Sequence, residues 1–201
     1  MPNHKHYLLI CMISILFLMS NTLFAKKTVH LITMGGAISG TQKDNLSGKF
    51  NLSSRSAEAL LASTIEVYEL ANISTHELYN IPSQEIQTKE WIELAKEVNK
   101  AVKNKNIDAV IVTHGTDTLE ETAYFLHLTI KTKKPIIITG AIRAALHPSS
   151  DTTQNFIDSL RVAIHENSKN KGVLVVANGK IISARQIQKN YNHSLDSLES
   201  S

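Results

Sequence analysis

Short apolar runs rich in β-branched residues recur along the chain: Thr28–Thr33, Ile107–Val112, Pro135–Thr139 and Gly172–Asn178. Runs of this length and composition read as buried strands of a parallel sheet. Between them, apolar residues return at helical spacing. From Thr88 onward, Trp91, Leu94, Ala95, Val98, Ala101 and Val102 make one stripe, the core face of an amphipathic helix. A second helix is predicted from Thr118, burying Ala123, Leu126 and Ile130, with Thr118 and Glu121 spaced as a capping box. His127 on it reads as a solvated helix residue. A third is predicted from Asp151, with Phe156, Ile157, Leu160 and Ile164 on one face and Asp151 and Gln154 spaced as another capping box. Ser56–Ser63 reads as a short helix with Leu60 and Leu61 inward, and Ile65–Leu70 as a further strand. Asn178-Gly179 is a strong hairpin dipeptide, so Lys180–Arg185 is predicted to pair back on the strand before it. Strands alternating with helices predict an α/β fold: a mostly parallel sheet with helices on both faces.

The polar residues that break this pattern gather where strands end. Val112-Thr113-His114-Gly115-Thr116-Asp117-Thr118 runs from a strand through a glycine into a helix start. Ligands of open α/β sheets bind at such carboxyl ends, and a helix N-terminus offers free N–H groups to an anion. At Thr116 and Asp117 a hydroxyl stands beside a carboxylate. Together they suit the carboxylate and ammonium of a free amino acid. Gly35-Gly36 ends the first strand and lets the backbone approach a ligand closely. Thr41–Asn51 is polar and reads as a mobile loop. Asn80–Gln84 reads as a turn after another short extended segment, and Arg143 is within reach of pairing with Asp151.

Thr113-His114-Gly115-Thr116-Asp117-Thr118 with Glu120-Glu121-Thr122-Ala123-Tyr124 closely resembles the second signature of the bacterial L-asparaginases, the asparaginase/glutaminase amidohydrolases. Gly35-Gly36-Ala37 resembles the first signature, an apolar strand ending in Thr-Gly-Gly-Thr. The second Thr there is the family's nucleophile, and Ala37 occupies that position. Alanine has no hydroxyl and cannot form an acyl-enzyme ester. The family also carries a flap tyrosine that helps activate the nucleophile. Phe50 stands nearest that place and lacks the phenol. The resemblance implies that Ser83 and Gln84 hold the substrate's α-carboxylate and that Gly115 shapes the site. It also implies that the backbone carbonyl of Ala141 faces the substrate amide, and that Lys189 pairs with Thr116 and Asp117. A lysine beside a threonine and a carboxylate can hold or accept a proton.

These implications define an expected protein. It is the N-terminal domain of an asparaginase, residues 26–201, ending near the interdomain linker in Asn192–Ser201. The family's smaller C-terminal domain, which supplies a Glu supporting the flap tyrosine, is then absent. The family is homo-oligomeric, and each site is completed by a neighbouring subunit. An unusual left-handed crossover belongs to its fold. The expected activity is hydrolysis of L-asparagine, with L-glutamine as a second substrate, impaired by Ala37 and by the missing domain. The competing expectation is a non-catalytic paralogue that binds a small amino acid. No metal or organic cofactor is implied.

Composition sets the setting. Of 201 residues the formal charge is only +3, basic residues are dispersed, and aromatics make 5%, which gives no nucleic-acid footprint. His4, Lys5 and His6 precede an apolar run from Leu8 to Met19, and Leu23-Phe24-Ala25 offers a cleavage site before Lys26. Residues 1–25 therefore read as a secretory signal peptide, and the mature protein as periplasmic or secreted. Cys11, the single cysteine, lies inside that run. The mature chain would carry no disulfide and no cysteine nucleophile.

Overall fold

The structure is a computed structural model and describes residues 26–39, 41–42, 50–51, 57–62, 64 and 66–201. The predicted leader, Cys11 and the middle of the polar loop lie outside the described residues.

A six-stranded sheet organises the chain in the order β4-β1-β5-β6-β7-β8. β1 is Thr28–Thr33, β4 Asn72–Glu77, β5 Ala109–Thr113, β6 Ile136–Thr139, β7 Val173–Ala177 and β8 Lys180–Ser183. All pair in parallel except β8, which turns back on β7 through Asn178 (φ 48°) and Gly179 (φ 70°). Both turn residues adopt the left-handed conformation that a tight hairpin demands. Thr41–Gln42 and Phe50–Asn51, β2 and β3, form a separate antiparallel ribbon. The predicted loop is thus paired at its two ends.

Each central strand is apolar on both sides because both faces are covered. Ile32, Val110, Val112, Ile136, Ile138 and Val175 point to one core. Helices α3 (Thr88–Lys103) and α4 (Leu119–Thr129) pack there. Val29, Leu31, Ile111, Ile137 and Val176 point to the other, against α1 (Ala57–Ala62), α2 (Val67–Leu70) and α5 (Thr152–Ile164). Leu60 and Leu61 are buried as predicted.

Several local expectations are corrected. Ile65–Leu70 is no strand: Val67–Leu70 is a helical turn with only Val67 buried. The edge strand is Asn72–Glu77, whose half-exposed, polar sequence hides its pairing. Neither predicted capping box forms. The Thr118 hydroxyl donates instead to the Ser83 carbonyl at 2.8 Å. The Asp151 carboxylate accepts the backbone N–H groups of Ile142 (3.0 Å) and Arg143 (2.8 Å) and the amide of Asn155 (3.0 Å). Arg143 meets Asp151 through its backbone, and its guanidinium donates to Ser149. His127 is half-buried rather than solvated, its Nδ1 accepting the Val173 N–H at 3.4 Å. The C-terminal segment does not trail away. Leu198–Ser200 (β10) pairs antiparallel with Ile187–Lys189 (β9), and Leu198 is buried in the first core.

One crossover breaks the usual handedness. β5–α4–β6 and β6–α5–β7 step across the sheet in the same direction, yet α4 and α5 lie on opposite faces. Such successive crossovers have opposite hands. β4–α3–β5 shares both direction and face with β5–α4–β6, and the β1–α1–α2–β4 connection reverses both. These connections therefore have one hand. Since about 98% of parallel crossovers are right-handed, the left-handed one is β6–α5–β7. The topology also reverses at β1, whose chain leaves toward β4 while β5 leads on toward β6. The crevice beyond the carboxyl ends of β1 and β5 is the switch point where a ligand fits.

Candidate active site

At that switch point four backbone segments press together. Gly35 (φ 96°) and Gly36 (φ 84°) turn the chain sharply after β1. A Cβ on Gly36 would come within 2.3 Å of the Gly115 Cα, and one on Gly115 within 2.6 Å of the Ser83 hydroxyl oxygen. One on Gly140 would sit 2.8 Å from the His114 carbonyl and 3.0 Å from the Thr116 methyl. Glycine at these positions brings the ends of β1, β5 and β6 and the Ser83 turn into one cluster. Ala37 opens the 3-10 turn Ala37–Ser39 directly after Gly36 and is half-exposed. Ala141 follows Gly140 and is buried.

The chemistry-bearing side chains come together over the start of α4. Thr116–Thr118 form a 3-10 turn that runs into the helix. Lys189, from β9, reaches across so that its Nζ donates to the Thr116 hydroxyl oxygen at 3.1 Å and to an oxygen of Asp117. Its side chain is only 9% exposed whereas Asp117 is 39% exposed, so the lysine is held inside and the carboxylate faces the crevice. The Gln84 amide donates to the other Asp117 oxygen. Ser83 is buried, with its carbonyl taken by Thr118. Of the predicted site residues, Ser83, Gln84, Gly115, Thr116, Asp117 and Lys189 thus form one connected cluster. The side chain of Phe50 lies outside the described residues.

A buried polar network supports this surface from below. His114 is fully buried, and its Nδ1 lies 2.6 Å from the Gly115 carbonyl, an acceptor only. Its Nε2 lies 3.0 Å from the Thr122 hydroxyl, which also takes the Trp91 indole N–H at 2.8 Å. Burial drives the imidazole pKa down to about 4, opposed by the Gly115 hydrogen bond. The ring is therefore neutral at pH 7, with its proton on Nδ1, and the single proton of the Thr122 hydroxyl lies between the Thr118 carbonyl at 2.9 Å and this Nε2. Beside it, Thr33 and Thr113 are register partners at the ends of β1 and β5. Both are buried, and their hydroxyls have no partner among the described residues.

The sequence pattern did not disclose this lower network or the role of Glu120. Trp91 read only as a residue of the core stripe, and Thr122 only as part of the second signature, with no role of its own. The contact from His114 to Thr122 exists only because the strand–turn–helix corner folds back on itself. Glu120 accepts the backbone N–H of Lys189. Its signals were its place in the second signature and its position a helical turn after Asp117.

Among the described residues no group of three or more His, Cys, Asp or Glu could hold a metal ion, and no helix is long and apolar enough to cross a membrane.

The chain is 36% identical over 173 residues to L-asparaginase 2 of Bacillus subtilis, covering 86% of this chain and 46% of that protein. It is 36% identical over 168 residues to a glutaminase-asparaginase of Acinetobacter glutaminasificans, covering 83% and 51%. In structure it is similar to a probable cytoplasmic L-asparaginase from Campylobacter jejuni, with a TM-score of 0.84 at 35% identity, over 87% of this chain and 54% of that one. The chain spans about half the length of the curated relatives it matches. Residues 28–201 match the family described as Asparaginase, N-terminal, and the chain belongs to that asparaginase family.

Proposed function

We propose that this chain forms an L-asparagine site of weakened amidohydrolase activity, converting L-asparagine and water to L-aspartate and ammonia, with L-glutamine as a second substrate. The observation that carries the reading is Lys189 Nζ bound at once to the Thr116 hydroxyl and the Asp117 carboxylate. Asp117 faces the crevice and can take the α-ammonium of the substrate. Ser83 and Gln84 offer donors for its α-carboxylate. The side-chain amide then lies against Thr116. Because the Thr116 oxygen accepts from Lys189, its own proton points away from the lysine, toward the amide. When water adds to the amide carbon and the C–N bond breaks, Thr116 can give that proton to the leaving nitrogen. Lys189 replenishes the threonine, and the proton released by the water restores the ammonium. No metal or organic cofactor enters these steps.

Ala37 makes the reaction slow. Without a hydroxyl there, no covalent acyl intermediate can divide the reaction into two easier steps. Ala37 also favours a second reading, a site that binds the amino acid without hydrolysing it. Ammonia release from L-asparagine, measured beside calorimetric binding of L-aspartate, separates them. Turnover in the unmodified chain should be low and lost in Thr116→Ala. Ala37→Thr should raise it by up to several orders of magnitude, the usual cost of a missing nucleophile. Binding with no ammonia from the unmodified chain, nor from Ala37→Thr even with the family's C-terminal domain supplied in trans, would establish the non-catalytic reading. No binding and no hydrolysis would refute both.

The charged start, apolar run and Ala25 support export of the mature chain to the periplasm or beyond as part of the same proposal.

A further inference from the structure

We infer that Glu120 is a positioning residue for Lys189, and that Asp117 and Glu120 grip this one lysine at two points. The inference depends on the reading above only in treating Lys189 as a working group. Lys189 stands opposite Leu198 in the β9–β10 pair, while the neighbouring Asn190 N–H donates to the Ser197 carbonyl at 2.8 Å. In an antiparallel ladder that pattern makes Lys189 and Leu198 a non-hydrogen-bonded pair. The Lys189 N–H therefore points away from β10 and has no use within the ribbon. A buried N–H without an acceptor is costly, and Glu120 supplies one: its carboxylate accepts this N–H from the first turn of α4.

Asp117 and Glu120 are three residues apart, the spacing that puts two side chains on one side of a helical turn. Asp117 takes the end of the lysine side chain and Glu120 takes its backbone. The side chain between those two points has four methylenes and many rotamers. Fixing the Cα end leaves Nζ few places to go other than Thr116 and Asp117. A shift of about 1 Å in such a group can cost on the order of a hundredfold in rate, so a short two-strand ribbon alone is a loose mount for it. The second carboxylate ties the ribbon to the same helix start that carries Thr116.

The test uses nuclear magnetic resonance on the intact chain and needs no activity. Lys189 amide exchange should be at least about tenfold slower than in an unfolded chain, the signature of a satisfied N–H. A nuclear Overhauser contact should join the Lys189 Cε protons to the Thr116 methyl. Glu120→Gln, which keeps an acceptor oxygen, should preserve both. Glu120→Ala should lose both, while the Asn190 amide, held by Ser197, keeps its protection. That last comparison separates positioning from general loosening, which would deprotect Asn190 as well. Free exchange of the Lys189 amide in the unmodified chain would overturn the inference. So would an unchanged Lys189–Thr116 contact in Glu120→Ala, or equal loss at Asn190 and Lys189. These results stand whether or not asparagine is hydrolysed, so this inference and the proposed function can fail separately.

Discussion

Lowering the pH from 7 to 5 should destabilise this protein, and the contribution of one residue, His114, can be isolated. In the native state burial holds its pKa at about 4, and in the unfolded chain it returns to its ordinary 6.5. The unfolded state thus binds the proton first as pH falls, and between these values it binds more protons than the native state. Stability is full above pH 6.5, declines through the window, and loses nothing further from this group below pH 4. For those two pKa values the linkage amounts to about 2 kcal/mol between pH 7 and pH 5, with a ceiling of about 3 kcal/mol. That is a sizeable part of the 5–15 kcal/mol typical of a domain. The assay is urea unfolding at pH 7, 6 and 5 for the unmodified chain and His114→Asn, which cannot titrate. The variant will be weaker at pH 7, because it disturbs the Gly115 and Thr122 contacts. Its decline from pH 7 to pH 5 should nevertheless be smaller by about 2 kcal/mol. Glu166, held at about 2 by Lys169 and Lys27, and Asp196, lowered by Lys180, titrate below this window. His30, half-buried and also lowered, is common to both proteins and cancels in the comparison. Equal slopes in the two proteins, or a His114 ring signal titrating near pH 6.5 in the folded state, would refute the reasoning.

Gly36→Ala should destabilise by about 3 kcal/mol or more, since it combines a positive φ with backbone overlap against Gly115; a thermal midpoint within 2 °C of the unmodified chain would contradict the close approach. Thr113→Val should be neutral or stabilising by about 1 kcal/mol, because it replaces a buried hydroxyl that has no partner among the described residues with a methyl of the same shape; a clear loss of stability in urea would reveal a partner for that hydroxyl. Export predicts that N-terminal sequencing of the mature protein finds Lys26 or a close neighbour first, and an intact Met1 on a soluble cytoplasmic protein would exclude it.

The fold was legible in the sequence where a segment's environment acts on it uniformly. β1, β5, β6 and β7 are buried on both faces, so their apolar runs were unambiguous. The stripe from Trp91 to Val102 announced α3, and Asn178-Gly179 announced the β7–β8 hairpin. The edge strand β4 showed only as a short extended segment without bounds, because one side of it meets solvent, which admits Asn72, Ser74 and Glu77. The helix starts were found but their caps were misread. Thr118 and Asp151 have the local chemistry for capping boxes, and in both cases a partner distant in sequence or a neighbouring loop competes better. Burial makes those acceptors costly to leave unpaired, so tertiary contacts take the side chains from the local ones.

The candidate site divides along the same line. Which residues are the candidates for the chemistry, Ser83, Gln84, Thr116, Asp117 and Lys189, came from the sequence through its resemblance to the asparaginases, as did the missing hydroxyl at Ala37. Motif identity is a local property of consecutive residues, so one sequence suffices to read it. How those residues are held was decided only by the tertiary structure. Lys189 meets Thr116 across 73 positions of chain, Glu120 meets Lys189 across 69, and Trp91 meets Thr122 across 31. No periodicity records such contacts, because they depend on the order of strands in the sheet and on the left-handed β6–α5–β7 crossover. The neutral state of His114 is likewise a consequence of depth. An imidazole in a strand-to-helix turn is ordinary in sequence, and only the packing of the turns around it removes the water that would keep it charged.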